Sequence, residues 1–202
     1  MAQQCRFAYR CRVPRSGDDA RRRLQDAALE LCCDLGYDET TTAAIAAKAG
    51  VNHRTFFRHF ADKREVLFGG EDDLRREIED SLSSAPPELT AAEALLRAFI
   101  DSAHVLEDNR DAGIARLRLI ADTPALKERD LAKCATIAAS VAGVLTRRGM
   151  PVNVANLAAD VGLATFHRAA SDWIDDPTRT LGDHLHSTFR TLGEFAAPLR
   201  TT

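Results

Sequence analysis

From Asp19 onward, apolar side chains recur along the chain with the period of an α-helix, and nowhere do they alternate as a strand requires. Leu24, Ala27, Ala28, Leu31 and Leu35 fall at i, i+3, i+4, i+7 and i+11. That spacing predicts a helix with one buried face, stopped at Gly36. Thr41 offers a capping hydroxyl to a short helix, "TAAIAAKA", ended by Gly50, and Asn52 caps a third, "HRTFFRHF". Asp62 with Glu65 three residues later has capping-box spacing, and the helix it opens is predicted to run through Leu74 and Ile78 to Leu82.

"SSAPPEL" at 83–89 is the clearest break in the pattern, and the place at which the pattern alone divides a small N-terminal domain from a larger one. Beyond it the signals are helical again. Thr90 with Glu93 opens one helix, 111–121 suits another, and Thr123-Pro124 starts a long one that is stopped by Gly149. Asn153 is expected to cap a further helix reaching Trp173, and 180–196 makes the last. The expected fold is all-α with about nine helices.

Composition narrows this. A chain of 202 residues buries a core without disulfides or metals. Five cysteines, Cys5, Cys11, Cys32, Cys33 and Cys134, lack metal-ligand spacing and the even count of a disulfide framework. They read as buried or idle reduced thiols, with a redox switch as the alternative. No secretory signal opens the chain, and the longest uncharged run, Cys134 to Thr146, is too short to cross a bilayer, so a cytoplasmic protein is expected.

The formal charge of −3 conceals an asymmetry: residues 1–68 hold 12 basic and 9 acidic side chains, residues 69–202 hold 15 and 21. The basic part begins with an arm, 1–17, containing Arg6, Arg10, Arg12 and Arg15 but no acid and no helical period. Such an arm either reaches a minor groove or is an idle extension. The same part holds "AGVNHRTFFRHFADKREVL", 49–67, which crowds three phenylalanines, two histidines and four cations together.

Two jobs on one helix explain that crowding. Phe56 and Phe60 lie four apart on one face and are expected to pack inward with Leu31, Leu35 and Ile45, leaving His53, Arg54, Phe57 and Arg58 on the other. Three short helices with a glycine turn between the second and third fit a helix-turn-helix, whose third helix enters a major groove. The start of the fourth helix, with Lys63, is expected to bind a phosphate, and Thr41 a second one. The alternative is that Thr41 and Asp62 are only caps.

The residues "GYDETTTAAIAAKAGVNHRTFFRHFADKREVL", 36–67, resemble the DNA-binding signature of the TetR family of bacterial transcriptional regulators. The resemblance rests on a Gly-aromatic pair, a Thr capping the second helix, Ile-Ala, Ala-Gly-Val, an aromatic pair before His-Phe, and a Lys three residues after that Phe. It implies phosphate or base contacts from Thr41, Asn52, His53, Arg54, Thr55, Phe57, His59 and Lys63. Where the family commonly has Tyr this chain has Phe57, so a hydroxyl contact is missing; the ring then lies against a thymine methyl or sugar, or shields the core.

The layout implied is a basic arm at 1–17, a helix-turn-helix domain at 18–68, and a ligand-binding and dimerisation domain at 69–202. "RLRLIADTPAL", "TRRG" and "HRAASDWI" are also similar to the C-terminal domain of actinobacterial TetR-type regulators with acyl-CoA-like ligands. That resemblance implies Arg116 and Arg118 at an anionic end and Phe99, Leu117, Ile120, Phe166 and Trp173 around an apolar cavity; core packing and ion pairing are the alternatives for them. It also implies a homodimer, a palindromic DNA operator and a small-molecule effector of acyl type. Ala155, Ala158, Ala159 and Gly162 form a small-residue stripe on which a partner helix can approach, or which packs within the chain.

No nucleophile, base and orienting group assemble from the motifs, and His184 and His186 diverge on a helix, so neither an enzyme nor a metal or cofactor site is expected. His104 and His167 read as core or boundary histidines. A ligand-responsive repressor is the reading, with an interaction adaptor that keeps the helix-turn-helix as scaffold as the alternative. Gly69 and Gly70, each costing roughly 1 kcal/mol within a helix, are expected to soften the rod between sensor and reader.

Overall fold

A computed structural model describes residues 16–196 except Gly69, Asn109 and Pro177. The arm with Arg6, Arg10, Arg12 and Arg15 lies outside the described residues, as does Gly69. Ten α-helical segments follow one another: α1 Ser16–Leu35, α2 Thr42–Lys48, α3 His53–His59, α4 Glu71–Ser84, α5 Ala91–Ser102, α6 His104–Glu107, α7 Arg110–Asp122, α8 Pro124–Arg147, α9 Val152–Asp175 and α10 Leu181–Ala196. Nine are longer than one turn, a 3-10 turn occupies Glu65–Phe68, and no strand occurs among the described residues. The chain divides into two compact units, the first ending at Val66 and the second beginning at Leu67.

In the first unit α1, α2 and α3 close around Leu24, Ala27, Ala28, Ile45, Ala46, Phe56 and Phe60, all buried. Each helix stops where its caps dictate. Thr41 accepts the Ala44 N–H at 3.1 Å, and Asn52 accepts that of Thr55 at 2.7 Å. Gly36 and Gly50 take positive φ (89° and 67°), which ends α1 and turns α2 into α3. The inward face of α1 differs from expectation at its last turn: Leu35 is 57% exposed, Leu31 is half-buried, and Cys32 takes the inward place. By spacing Leu35 continues the row of Ala28 and Cys32, but it is the last residue of α1 and is left uncovered there.

The helix predicted to run unbroken from Asp62 to Leu82 is interrupted. Asp62 caps only a turn, accepting the Glu65 N–H at 2.9 Å. After the 3-10 turn, Gly70 adopts φ 102° and serves as the N-cap of α4, so its glycine lies before the helix instead of within it. An L side chain at that φ is strained, which is why the segment breaks there.

The second unit buries Leu82, Leu95, Phe99, Val141, Leu145, Phe166, Trp173 and Leu185 between α4, α5, α8, α9 and α10. Phe99 is central, with ring centroids 5.1 Å from Phe166 and 6.1 Å from Phe189. The "SSAPPEL" break lies inside this unit and joins α4 to α5. Arg148 ties it down, donating to the carbonyls of Leu82, Ala85 and Pro86 at 3.1, 2.5 and 2.9 Å. α9 starts at Val152 with Pro151 at the cap position, so Asn153 is inside the helix and does not cap it. The small-residue stripe faces inward: Ala155, Ala159 and Gly162 are buried, and a Cβ on Gly162 would stand 3.1 Å from Leu95 Cδ1. That stripe is intrachain packing.

Candidate nucleic-acid interface and effector cavity

On α3 the two faces separate cleanly. Phe56 and Phe60 are 0% and 1% exposed, their ring centroids 5.8 Å apart, whereas His53, Arg54, Phe57 and Arg58 are exposed. The first residue of α3 is locked to α2: Thr42 Oγ1 is 2.8 Å from His53 Nε2. His53 in turn meets the edge of Phe57, centroid to centroid 5.0 Å, and Phe57 rests edge-on against Phe56. Phe57 is half out, with its ring wedged against the buried anchor and 51% of its surface free. The polar face therefore sits on a rigid base, which is what base reading needs.

Thr41 and Asn52 are exposed caps, so each spends an oxygen on its own helix while Thr41 keeps its hydroxyl proton and Asn52 its amide group. Thr55 is half-buried and donates its hydroxyl to Asn52 Oδ1 at 3.0 Å. His59 is half-buried, and its carbonyl accepts from Arg21 at 3.1 Å. Burial first, then the neighbouring charges of Arg58 and Arg21, push its imidazole below the ordinary histidine value.

Lys63 stands differently from its expected place at a helix N-terminus, because only a 3-10 turn follows it. Its ammonium donates to the Tyr37 carbonyl at 2.7 Å and lies 4.1 Å above the Tyr37 ring. Lys63 thus pins the loop between α1 and α2. Arg64 is paired with Asp62 at 3.2 Å.

The second unit contains a cleft of about 110 Å³ between Leu67, Phe68 and α4 on one side and α6, α7, α8 and α9 on the others. Arg116, Leu117, Ile120 and Phe166 line it. Phe99 and Trp173 are wholly buried in the core and do not line it. Arg118 also points elsewhere: it is exposed and donates to the Ile174 carbonyl at 3.3 Å.

Sequence reasoning passed over the polar part of this lining. Asp130, Lys133 and Cys134 come from α8 and His167 from α9. His104 and His167 are both exposed, not core residues, whereas His184 is buried with Nε2 3.2 Å from the Asp176 carbonyl oxygen. The available signal was the i, i+3, i+4 spacing of Asp130, Lys133 and Cys134, which puts one acid, one base and one thiol on a single helical face.

Residues 24–68 match the model described as bacterial regulatory proteins, tetR family, and residues 89–197 match the MftR C-terminal domain. Over 192 residues, 92% of this chain and 95% of the relative, the sequence is 24% identical to a Mycobacterium tuberculosis protein named as a mycofactocin biosynthesis transcriptional regulator, MftR. In fold the chain resembles the regulator FadR of Bacillus subtilis in complex with stearoyl-CoA: TM-score 0.60, 19% identity, 85% of this chain and 96% of that one. It is equally similar to SmeT in a triclosan complex, with TM-score 0.61, 21% identity, and 85% and 90% covered.

Proposed function

Because the chain belongs to the TetR family of bacterial regulators, with a C-terminal domain of the MftR type, we propose that it is a repressor released from a palindromic operator by an amphipathic effector of acyl type. The one observation that carries this reading is the rigid α3, anchored by buried Phe56 and Phe60 and presenting Arg54, His53 and Phe57 outward. In a groove, Arg54 grips a base edge, while Thr41 and Asn52 hold phosphates and set register, with Thr55 orienting the Asn52 amide. His59 and Lys63 flank that surface.

The effector enters the cleft of the second unit. Its apolar walls suit an alkyl or acyl chain, and Arg116 and Lys133 suit a polar end. Stearoyl-CoA in FadR carries a long apolar acyl chain on a polar head, and triclosan in SmeT is a small apolar aromatic, which supports this class. The lining includes Leu67, Phe68, Gly70 and Leu74, the residues that follow the DNA-binding unit directly in the chain. An occupant that favours one arrangement of this turn shifts the population of DNA-competent molecules by no more than its differential affinity for the two arrangements.

Two copies act together, since such a reader needs two half-sites roughly 34–36 Å apart. Val154 and Leu157 on α9 and Phe195 on α10 are exposed at 45%, 65% and 75% and offer the apolar contacts for a partner. The cytoplasm is the site of action, and among the described residues no helix is long and apolar enough to cross a membrane.

The test is selection of bound duplexes from a random pool at physiological salt, followed by challenge of the selected duplex with stearoyl-CoA, free stearate and triclosan. A palindromic winner released by one of these, and retained when Ile120→Trp fills the cleft, is the expected result. Failure to enrich any duplex, or release that is indifferent to the filled cleft, overturns the reading.

A further inference from the structure

Cys134 of α8 and His167 of α9 are 33 residues apart in sequence, yet Sγ and Nε2 lie 3.3 Å apart. Both line the effector cleft, Cys134 half-buried and His167 exposed, so the pair is reachable from solvent and from the cavity together. We propose that this pair is a nucleophilic site: Cys134 captures apolar conjugated carbonyl compounds that enter the cleft, and His167 is the base that activates its thiol. The proposal goes beyond the effector reading and shares only the cavity with it.

The chemistry of the surroundings favours Cys134 over the other described thiols. Cys32 is buried, and burial pushes its thiol up, away from the reactive anion. Cys33 is exposed and does not line this cleft. Cys134 alone of the three combines a ring nitrogen within hydrogen-bond reach, the cations Lys133 and Arg116 in the same lining, and the walls of Leu117, Ile120 and Phe166. Asp130, half-buried in the same lining, stands near enough to His167 to interact with it electrostatically; burial pushes its carboxyl above the ordinary aspartate value and His167 opposes that.

The step needs no co-reactant. The proton on Sγ passes to His167 Nε2, and the sulfur lone pair forms a bond to the β-carbon of the enone. The π pair of the C=C bond moves to give an enolate, and the proton on Nε2 returns to the α-carbon. The product is a saturated ketone joined to Cys134 by a thioether, with no net oxidation. Because addition requires only a nucleophile and a shuttled proton, the two groups present are sufficient.

The experiment incubates the full chain with octenone, using saturated octanone as the control, and follows adducts on each cysteine-containing peptide by mass spectrometry. Cys134 is expected to react faster than Cys33, and His167→Gln to slow Cys134 about tenfold or more while leaving Cys33 unchanged; circular dichroism confirms that the variant folds. Modification of Cys134 at the rate of Cys33, or at equal rates in wild type and His167→Gln, overturns the proposal. A parallel binding assay separates it from the effector reading. Adduct formation that releases the selected duplex in wild type but not in Cys134→Ser supports both, whereas adduct formation without release supports the nucleophile and counts against the cleft as an effector site.

Discussion

Thr42 Oγ1 stands 2.8 Å from His53 Nε2, so the first residues of α2 and α3 are joined by a side-chain hydrogen bond on the exposed side of the helix-turn-helix. The bond fixes the angle at which α3 leaves its turn. Replacing Thr42 with Val keeps the shape and removes the bond. Operator affinity is expected to fall by about 0.5–1.5 kcal/mol, the net worth of a neutral hydrogen bond. Fluorescence anisotropy on a Thr42→Val, His53→Ala double-mutant cycle checks it, and strictly additive losses would show that the two residues act separately.

Arg54 and Lys63 carry charge in different settings and should fail differently. Arg54 is exposed, so Arg54→Ala leaves thermal stability unchanged, costs operator binding roughly 1–3 kcal/mol and relaxes specificity at one position. Lys63→Ala strips the Tyr37 carbonyl of its donor and frees the α1–α2 loop. That variant is expected to lose about 1.5–3 kcal/mol of stability and to weaken all duplexes alike. Melting curves beside binding across a salt series distinguish the pair, and a Lys63→Ala protein as stable as wild type would refute the structural role.

Phe57 has half its surface free but lacks the hydroxyl that the family commonly carries there. Phe57→Tyr adds a neutral donor at the rim without disturbing the packing against Phe56. Affinity is expected to rise by about 0.5–1.5 kcal/mol, with the salt slope unchanged because no charge is added. A weaker complex would mean that the ring edge packs on a methyl or sugar that the oxygen displaces.

Glu79 on α4 accepts from the Ser140 hydroxyl on α8 and from Arg75 at 2.6 Å. The Ser140 hydrogen bond is the main reason its carboxyl lies below the ordinary glutamate value; burial opposes this and Arg75 assists. A depressed folded-state value gives stability that is complete above the unfolded-state value, about 4.3, and is lost as pH falls through the folded one. Ser140→Ala is therefore expected to cost about 1.5–3 kcal/mol at neutral pH and progressively less in acid. Urea unfolding at several pH values tests this, and a deficit that does not shrink on acidification would rule out the carboxylate as its source.

What was legible in the sequence was whatever neighbouring residues decide among themselves. Thr41, Asn52 and Thr90 act as caps because an oxygen and an orphan N–H two or three residues later need nothing else. Phe56 and Phe60 share a face because helical geometry puts residues four apart together, and the face opposite them was thereby readable as well. The order of helices and the divided roles of α3 were thus set by the chain itself.

Distance in sequence hid the rest. Only packing decides that Lys63 rests on Tyr37, 26 residues away, and is held by the loop between α1 and α2. The inward turn of Ala155, Ala159 and Gly162 was equally open until packing buried them, with Leu95 and Phe99 against Gly162. The cleft is the extreme case: Arg116, Cys134 and His167 lie on three helices, and no local period relates them. Periodicity tells which side of a helix is apolar, but which helices meet, and whether the space between them is filled or left open, follows from the simultaneous fit of many side chains in three dimensions.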